Sequence, residues 1–569
     1  MLSEHVLNRT YTGSVDERTQ SNATRLYLFA MVAAVCLGIL VRALYILPAE
    51  FPLNDGGMFY TMVQDLQHTG YRLPAFTTYN DTALPYGYSP FGFYVAAVLE
   101  DLTPLNLFDI MRWVPFIVSS LSILAFYRLA RSMLTNLAAS TIATFAFALL
   151  PASFVWLIMG GGIARSWGFL FSLLAVHQLY LLYTRRTSWR IATAALWIGL
   201  TALSHLGTIS FVAYTTIVLF LLYGRDRQSF FSTVLVAVAS VVFTAPWWAT
   251  VVLTHGWEPF LAAMSSGSSI FSSDPQTRRG MLKYLVQFGV GGGLTYEPFF
   301  PLIGVLGLFG ILAALTRRRI MFPLWWLSVL VFEYRAPATF SSIPIAMLAG
   351  ICLTDIVVPR LSAAFRGTDT ADAPAFHTKR RSTLAPGSHW VVGIVLAALV
   401  CYAGVSTVIK HPVVQTQMRF LESLSSEERA AMRWVSVMTP SESRFLVLPE
   451  HEWSFWASDK TAEWFPALAK RRDIATVQGS EWKLGQDSFT QRREQWKALL
   501  PCVSTMPSCF ENWAKDLGLT FTHVYIPQPV YSQDDAYRLC CKHLIRWLKE
   551  DSRYAVIYEK PGAIIFARQ

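Results

Sequence analysis

An aspartate stands directly behind a long apolar run, in Leu53-Asn54-Asp55-Gly56-Gly57-Met58-Phe59-Tyr60. Two roles suit a carboxylate ahead of an amphipathic segment. It caps the helix that follows, which Asp does well, or it takes a proton from an acceptor hydroxyl or amine as a general base. The two are compatible. Glu297, just before Pro298, and Asp101, at the end of a second amphipathic segment, are candidates for a second carboxylate; each would serve equally as a solvated helix-end charge. The cations suited to an anionic substrate are Arg165 and Arg335, at expected helix ends, and Arg278 with Arg279 in a long loop. A guanidinium donates two parallel hydrogen bonds to a phosphate. The alternative for each is snorkelling to a lipid interface. His205, in Leu203-Ser204-His205-Leu206-Gly207, falls at an expected turn and suits a structural hydrogen bond better than catalysis. Trp464, in Glu463-Trp464-Phe465-Pro466, offers an aromatic face for a sugar, or a core or docking surface.

The elements that must position these residues lie in a membrane. The sequence is 53% hydrophobic and 15% charged, against about 25% charged in average soluble chains. The deficit is confined to the part before Lys410, where runs of about 20 apolar residues follow one another, the length an α-helix needs to cross about 30 Å of hydrocarbon. The pattern predicts helices at about 26–48, 107–131, 137–157, 166–184, 191–205, 207–223, 230–252, 299–316, 320–334, 340–358 and 390–409. The net charge of +10 does not form a nucleic-acid surface. It sits in short clusters between apolar runs: Arg128 and Arg131, Arg185 with Arg186 and Arg190, Arg225 and Arg227, and Arg317 to Arg319. Positive flanks mark cytoplasmic loops, so about eleven crossings place the N-terminus inside and the tail outside a plasma membrane. Three parts follow: a cytoplasmic segment over 1–25, a transmembrane domain over 26–409 and an extracytoplasmic domain over 410–569. The first apolar run is long enough to span and no small-residue cleavage pattern follows it, which predicts a retained helix rather than a signal peptide.

Outside, the first loop is expected to carry two interfacial helices, Gly56–His68 and Ser89–Leu102. A second long segment, Thr254–Pro298, is rich in Ser and Gly and is expected to be mobile. The tail alternates strand signals (Phe445–Leu448, Phe521–Ile526, Ala555–Glu559, Ala563–Ala567) with helical ones (Ser425–Val437, Thr461–Arg471, Asp534–Glu550), the pattern of a small α/β domain. Cys502, Cys509, Cys540 and Cys541 all lie in this tail, where an outer location permits disulfides. Four cysteines allow three pairings, with Cys502–Cys509 favoured because it closes a small loop through Pro507.

This layout resembles the GT-C superfamily of membrane glycosyltransferases, which includes protein O-mannosyltransferases, lipid A aminoarabinose transferase and oligosaccharyltransferases. The shared features are an acidic residue in the first outer loop, two interfacial helices there, Arg-ended cytoplasmic loops, about eleven helices and an outer C-terminal domain. Tyr88-Ser89-Pro90-Phe91-Gly92 is similar to the Pro-Pro-Leu element that opens the second interfacial helix in many members, with Ser89 for the first Pro and Phe91 for Leu. Gly160-Gly161-Gly162-Ile163-Ala164-Arg165 is similar to the Gly-rich, Arg-ended outer turn of bacterial members. Trp453-Ser454-Phe455-Trp456-Ala457-Ser458-Asp459 lacks the adjacent Trp pair of the oligosaccharyltransferase motif, so peptide-sequon recognition is not carried over. The resemblance implies an inverting transferase that moves a sugar from a polyprenyl-phosphate-linked donor to a lipid, glycan or protein acceptor at the outer face. Asp55 would be the base, and Arg165 and Arg335 would hold the donor phosphate. Some members hold a divalent metal between two acidic residues and others need none; the missing Asp-x-Asp in this first loop leans against one here, with a divalent metal as the alternative. The rival readings are a secondary transporter, which would show internal repeats and carboxylates deep in several helices, and a non-catalytic envelope assembly or sensor protein.

Overall fold

The computed structural model describes residues 3–47, 54–134, 136–265, 295–297, 300–333, 336–366, 389–409, 421, 423–452, 454–483, 488–528 and 541–569. Its membrane part is all helix. A single long helix, α1 (Ser3–Ile46), starts well before the apolar run that identified it. The segment between the first and second long helices then forms α2 (Gly57–His68), a two-residue hairpin of β1 (Phe76–Thr77) with β2 (Leu84–Pro85), and α3 (Phe91–Leu102). Next come α4 (Leu107–Met133), α5 (Leu137–Leu149), α6 (Gly162–Arg185), α7 (Trp189–Ser204), α8 (Leu206–Tyr223) and α9 (Arg227–His255). After a short α10 (Glu258–Ser265), the described chain resumes with α11 (Leu302–Thr316), α12 (Met321–Phe332) and α13 (Pro337–Cys352). A π-turn at Leu353–Val357 leads into α14 (Val358–Arg366), and α15 (His389–Ile409) follows. Among the described residues six helical stretches are long and apolar enough to cross a membrane and four more are shorter apolar helices. The chain is a polytopic α-helical membrane protein.

The expected helix over 137–157 is two pieces, and the reason is local. Pro151 biases Leu150 to an extended conformation, and α5 stops at Leu149 with Leu150 at ψ 116°. The Ala152 N–H, which would have continued the ladder to Ala148, donates instead to the Thr295 carbonyl at 3.2 Å. Arg42, fully buried on α1, takes over the broken end: Nη1 donates to the Ala148 carbonyl and Nη2 to the Ser153 hydroxyl, at 3.0 and 3.3 Å. A cation at a helix C-terminus also meets the negative end of the helix dipole. Nothing in the sequence reading had singled out Arg42.

The tail is the expected α/β domain. It contains α16 (Ser426–Met438), β3 (Arg444–Val447), α17 (Lys460–Ala469), β4 (Arg472–Asp473), α18 (Ser488–Leu499), α19 (Ser508–Asp516), β5 (His523–Gln528), α20 (Lys542–Glu550), β6 (Tyr554–Lys560) and β7 (Gly562–Arg568). The strand order is β4-β3-β5-β7-β6, with β3 parallel to β4 and β5, and β7 antiparallel to β5 and β6. Alternation along the strands builds two cores, as a period of two requires. Leu446, Val524, Ile526 and Phe566 pack outward with Phe510, Leu544 and Leu548. Phe445, Val447, Tyr525 and Ile565 pack inward with Trp464 and Phe465, and this inner core continues into Phe59 and Met62 of α2 and Phe93 of α3. The membrane part and the tail therefore share one core. Cys502 and Cys509 are disulfide-bonded, as favoured from sequence, and Cys541 is disulfide-bonded too. The helical signals of α18 and α19 went unread, and most of the expected mobile segment Thr254–Pro298 lies outside the described residues; its described start is helical through His255 and again in α10.

Candidate active site

Asp55 sits where three pieces of chain converge. Gly56 follows at φ +123°, a conformation that suits glycine alone, and a Cβ there would press on the backbone of Gly160 and Gly161. On that side the turn between α5 and α6 delivers the Gly161 N–H to Asp55 Oδ1 at 2.9 Å, while Arg165 Nη2 pairs with Oδ2. Gly161 is needed because Arg165 lies across the space a Cβ would fill. On the other side, α17 of the tail grips both neighbours of Asp55. Glu463 Oε1 accepts the Gly56 N–H at 2.8 Å, and Trp464 Nε1 donates to the Asn54 carbonyl at 2.8 Å. The Tyr79 hydroxyl adds a third tie, donating to the Glu463 carbonyl at 2.6 Å. The aspartate is thus held from the membrane side and the tail side at once.

The carboxylate does not cap α2, which has no side-chain cap. Burial alone would push its pKa up, but the charges of Arg165 and Lys460 and the Gly161 N–H outweigh burial and hold the group below the ordinary carboxylate range. Lys460 is itself tied to Glu463 at 3.0 Å. Arg165 is at a helix end, as expected, but inside it and buried: α6 begins at Gly162, earlier than the apolar pattern suggested, so Arg165 lies in its first turn, 6% exposed. Its guanidinium rests on Trp156, 4.8 Å from the ring centroid. The edge of Trp156 meets His205 at 5.6 Å, and His205 meets Tyr88 at 6.2 Å. Asp55, Arg165, Trp156, His205 and Tyr88 form one continuous wall. Trp156 was missed because an aromatic residue in an apolar run gives no signal until the helix breaks beside it.

The remaining candidates separate. Glu297 accepts the N–H groups of Ile303 and Gly304 at 2.9 and 3.1 Å and so caps α11. Burial raises its pKa against those two donors. Asp101 is bonded to the Tyr71 hydroxyl and to Gln67 Nε2 at 3.1 Å, fastening the end of α3 to the end of α2. His205, at the α7–α8 junction, makes the expected structural bond, Nδ1 to the Thr208 hydroxyl at 2.9 Å. Trp464 is fully buried, so it is a docking residue and offers no face to a sugar. Arg278, Arg279 and Arg335 lie outside the described residues. Among the described residues no three His, Cys, Asp or Glu side chains are grouped to hold a metal ion.

Comparison with known proteins bears on the fold that carries these residues. The family described as "6-pyruvoyl-tetrahydropterin synthase related domain; membrane protein" matches residues 85–363, just under half of the chain. No curated protein matches the sequence. Among solved structures, the oligosaccharyltransferase AglB of Archaeoglobus fulgidus, in complex with an inhibitory peptide and a dolichol-phosphate, aligns at TM-score 0.52 and 16% identity, over 95% of this chain and 74% of its own. ArnT of Cupriavidus metallidurans, bound to undecaprenyl phosphate, aligns at TM-score 0.52 and 16% identity, over 94% of this chain and 97% of its own. The mycobacterial arabinofuranosyltransferase AftD aligns at TM-score 0.52 and 11% identity over 95% of this chain, which spans 40% of that larger protein. The chain has the GT-C fold of the membrane glycosyltransferases.

Proposed function

We propose that the protein is a GT-C glycosyltransferase that moves a sugar from a polyprenyl-phosphate donor to an acceptor at the outer face of the membrane. The observation that carries this reading is the Asp55–Arg165 pair, a carboxylate and a guanidinium held together at the junction of outer loop, α6 and tail. The structural neighbours are consistent with the donor class, since AglB and ArnT were solved with dolichol-phosphate and undecaprenyl phosphate respectively. Without substrate each charge neutralises the other. A donor phosphate competes for Arg165, whose planar fork suits it, and thereby releases Asp55 Oδ2. Losing its cation also raises the pKa of the carboxylate toward that of a useful base.

The released Asp55 then takes the proton of the acceptor hydroxyl or amine. The acceptor atom attacks the anomeric carbon in line, the bond from that carbon to the phosphate oxygen breaks, and polyprenyl phosphate leaves with the electron pair. One displacement inverts the configuration. Arg165 stabilises the charge developing on the leaving phosphate, the kind of preorganised electrostatic assistance that dominates many enzymes. The tail lies on the extracytoplasmic side, following the positive clusters of the opposite loops. Two measurements test the reading together. Envelope glycans and glycolipids of a deletion strain should lack one sugar. Purified protein in liposomes should consume a polyprenyl-phosphate sugar only when that acceptor is added. An unchanged glycan profile together with no donor consumption by the purified protein would overturn it.

A further inference from the structure

The first turn of α17 carries a lysine that takes no part in the displacement at the anomeric carbon. Lys460 opens the helix, where its charge opposes the positive end of the helix dipole. It is also largely withdrawn from water, with 12% of its side chain exposed, although lysine is seldom buried unless it is paired. Helix stability and solvation both disfavour a cation at this position. Its ammonium pairs with Glu463 Oε2 at 3.0 Å, and the other oxygen of that carboxylate accepts the Gly56 N–H at 2.8 Å. The approach is tight, since a Cβ on Gly57 would fall 2.6 Å from the Glu463 carbonyl oxygen. One carboxylate thus ties Lys460 to the peptide next to Asp55, and the lysine charge acts on the Asp55 carboxyl.

This second cation matters once a donor is bound. Burial favours the protonated form of Asp55, and Arg165 is the leading charge that opposes it, ahead of Lys460 and the Gly161 N–H. When a phosphate engages the Arg165 guanidinium, that opposition weakens, and a carboxyl that already carries a proton is no longer the acceptor-only group a base must be. Lys460 is held in place by Glu463 and stays. The other polar groups nearby are engaged elsewhere. The Tyr79 hydroxyl, from the β1–β2 hairpin, donates to the Glu463 carbonyl, and His205, farther along the wall, bonds the Thr208 hydroxyl through Nδ1. Two cations therefore divide the work around one carboxylate: the one on α6 turns to the phosphate, and the one on α17 remains.

We propose that Lys460 is a positioning residue of the reaction centre, the cation that keeps Asp55 ionised, and so able to accept a proton, while the donor phosphate occupies Arg165. This rests on the transfer reaction proposed for Asp55 and Arg165, and adds that the tail supplies part of the base's surroundings. Asp55 is then a competent base only with α17 docked against Gly56 and Gly57.

The test is difference infrared spectroscopy of the full-length protein in nanodiscs, titrated with acid in the presence and absence of undecaprenyl phosphate. The carboxyl C=O band that Asp55→Asn removes reports the protonation of Asp55. In wild type the lipid should raise the midpoint of that band, because it draws on Arg165. In Lys460→Gln with the lipid bound, the midpoint should lie higher still by about one pH unit, the low end of the effect of a neighbouring cation on an aspartate. Lys460→Arg should titrate like wild type. A wild-type midpoint that the lipid does not move would overturn the exchange at Arg165, and with it the transfer mechanism on which this role rests. A wild-type midpoint that moves, with Lys460→Gln titrating like wild type, would overturn the role of Lys460 alone. Should Lys460→Gln lower the melting temperature, Glu463→Gln takes its place. It keeps the lysine charge and removes the opposing one, so the midpoint should fall, and an unchanged or raised midpoint would sink the proposal.

Discussion

Asp55 and Glu297 are both carboxylates next to helix starts, yet the structure gives them opposite fates. Asp55, expected as a helix cap or a base, caps nothing and faces Arg165 with a quarter of its side chain exposed. Glu297, expected as a spare base, is the cap, with both oxygens on backbone N–H groups of α11. Their titration runs in opposite directions as well: Asp55 is held low by cations, and Glu297 is pushed up by burial. A carboxylate paired with a side-chain guanidinium can be released by an incoming anion. One that satisfies a helix terminus cannot leave without exposing those donors. On the proposed mechanism, what sets Asp55 apart is the replaceability of its partner.

Replacing Asp55 probes that difference most strongly. Asp55→Asn keeps size and can still accept the Gly161 N–H, but it cannot take a proton as a carboxylate does. General-base roles contribute about 100- to 10,000-fold, so donor turnover by purified protein should fall by that factor while the melting temperature stays close to wild type. Turnover near the wild-type rate would dissolve the contrast and leave Asp55 a structural ion pair.

The tail side of the same loop is next. Trp464→Ala removes a fully buried ring and the bond to the Asn54 carbonyl. Large aromatic truncations cost about 3–5 kcal/mol, and here the loss falls on the core shared by loop and tail. Proteolysis should clip the tail faster, and activity should fall together with that loosening. A variant that is inactive but as protease-resistant as wild type would give Trp464 a role in substrate contact. Arg165→Gln should be milder. Hydrogen bonds to charged groups are worth about 1.5–3 kcal/mol, so kcat/KM should drop by roughly 10- to 150-fold, with a raised KM for the donor. An unchanged KM for the donor would disconnect Arg165 from the phosphate.

Why the elements were legible and the partners of these carboxylates were not follows from range. The two amphipathic helices α2 and α3 and the β6–β7 hairpin at Pro561-Gly562 come from local periodicity and turn residues, and they lie within a few residues of expectation. The Gly160–Arg165 stretch was readable as a tight turn ending in a cation. Its partner was not, because Asp55 and Arg165 are 110 positions apart. The grip of Glu463 on Gly56 spans 407 positions, and no pattern in either segment encodes it. Arg42 escaped for a related reason: its acceptors are carbonyls and hydroxyls freed by a helix break on another element, and such acceptors have no residue signature. Local signals wrote the scaffold, and pairings across the fold wrote the site.

The smallest expected effect is that of Glu297→Gln, and its sign with pH separates a cap from a base. Gln keeps one acceptor oxygen for two N–H donors, so part of the cap is lost, a change within the range of about 0.5–2 kcal/mol for helix caps. Activity should change by less than a few-fold. The pH dependence follows from the raised folded pKa. Between the ordinary Glu value near about 4.3 and the higher folded value, the native state binds more proton than the unfolded chain, so wild-type stability falls as pH rises through that window. Gln does not titrate, so the advantage of wild type over Glu297→Gln should be greatest near the low end of the window and shrink above it. Melting curves of the two proteins at several pH values from 4 to 7 measure this directly. If the gap widened with pH, burial would not govern this carboxyl, and if transfer fell more than tenfold while the melting temperature held, Glu297 would have to be counted with Asp55 in the chemistry.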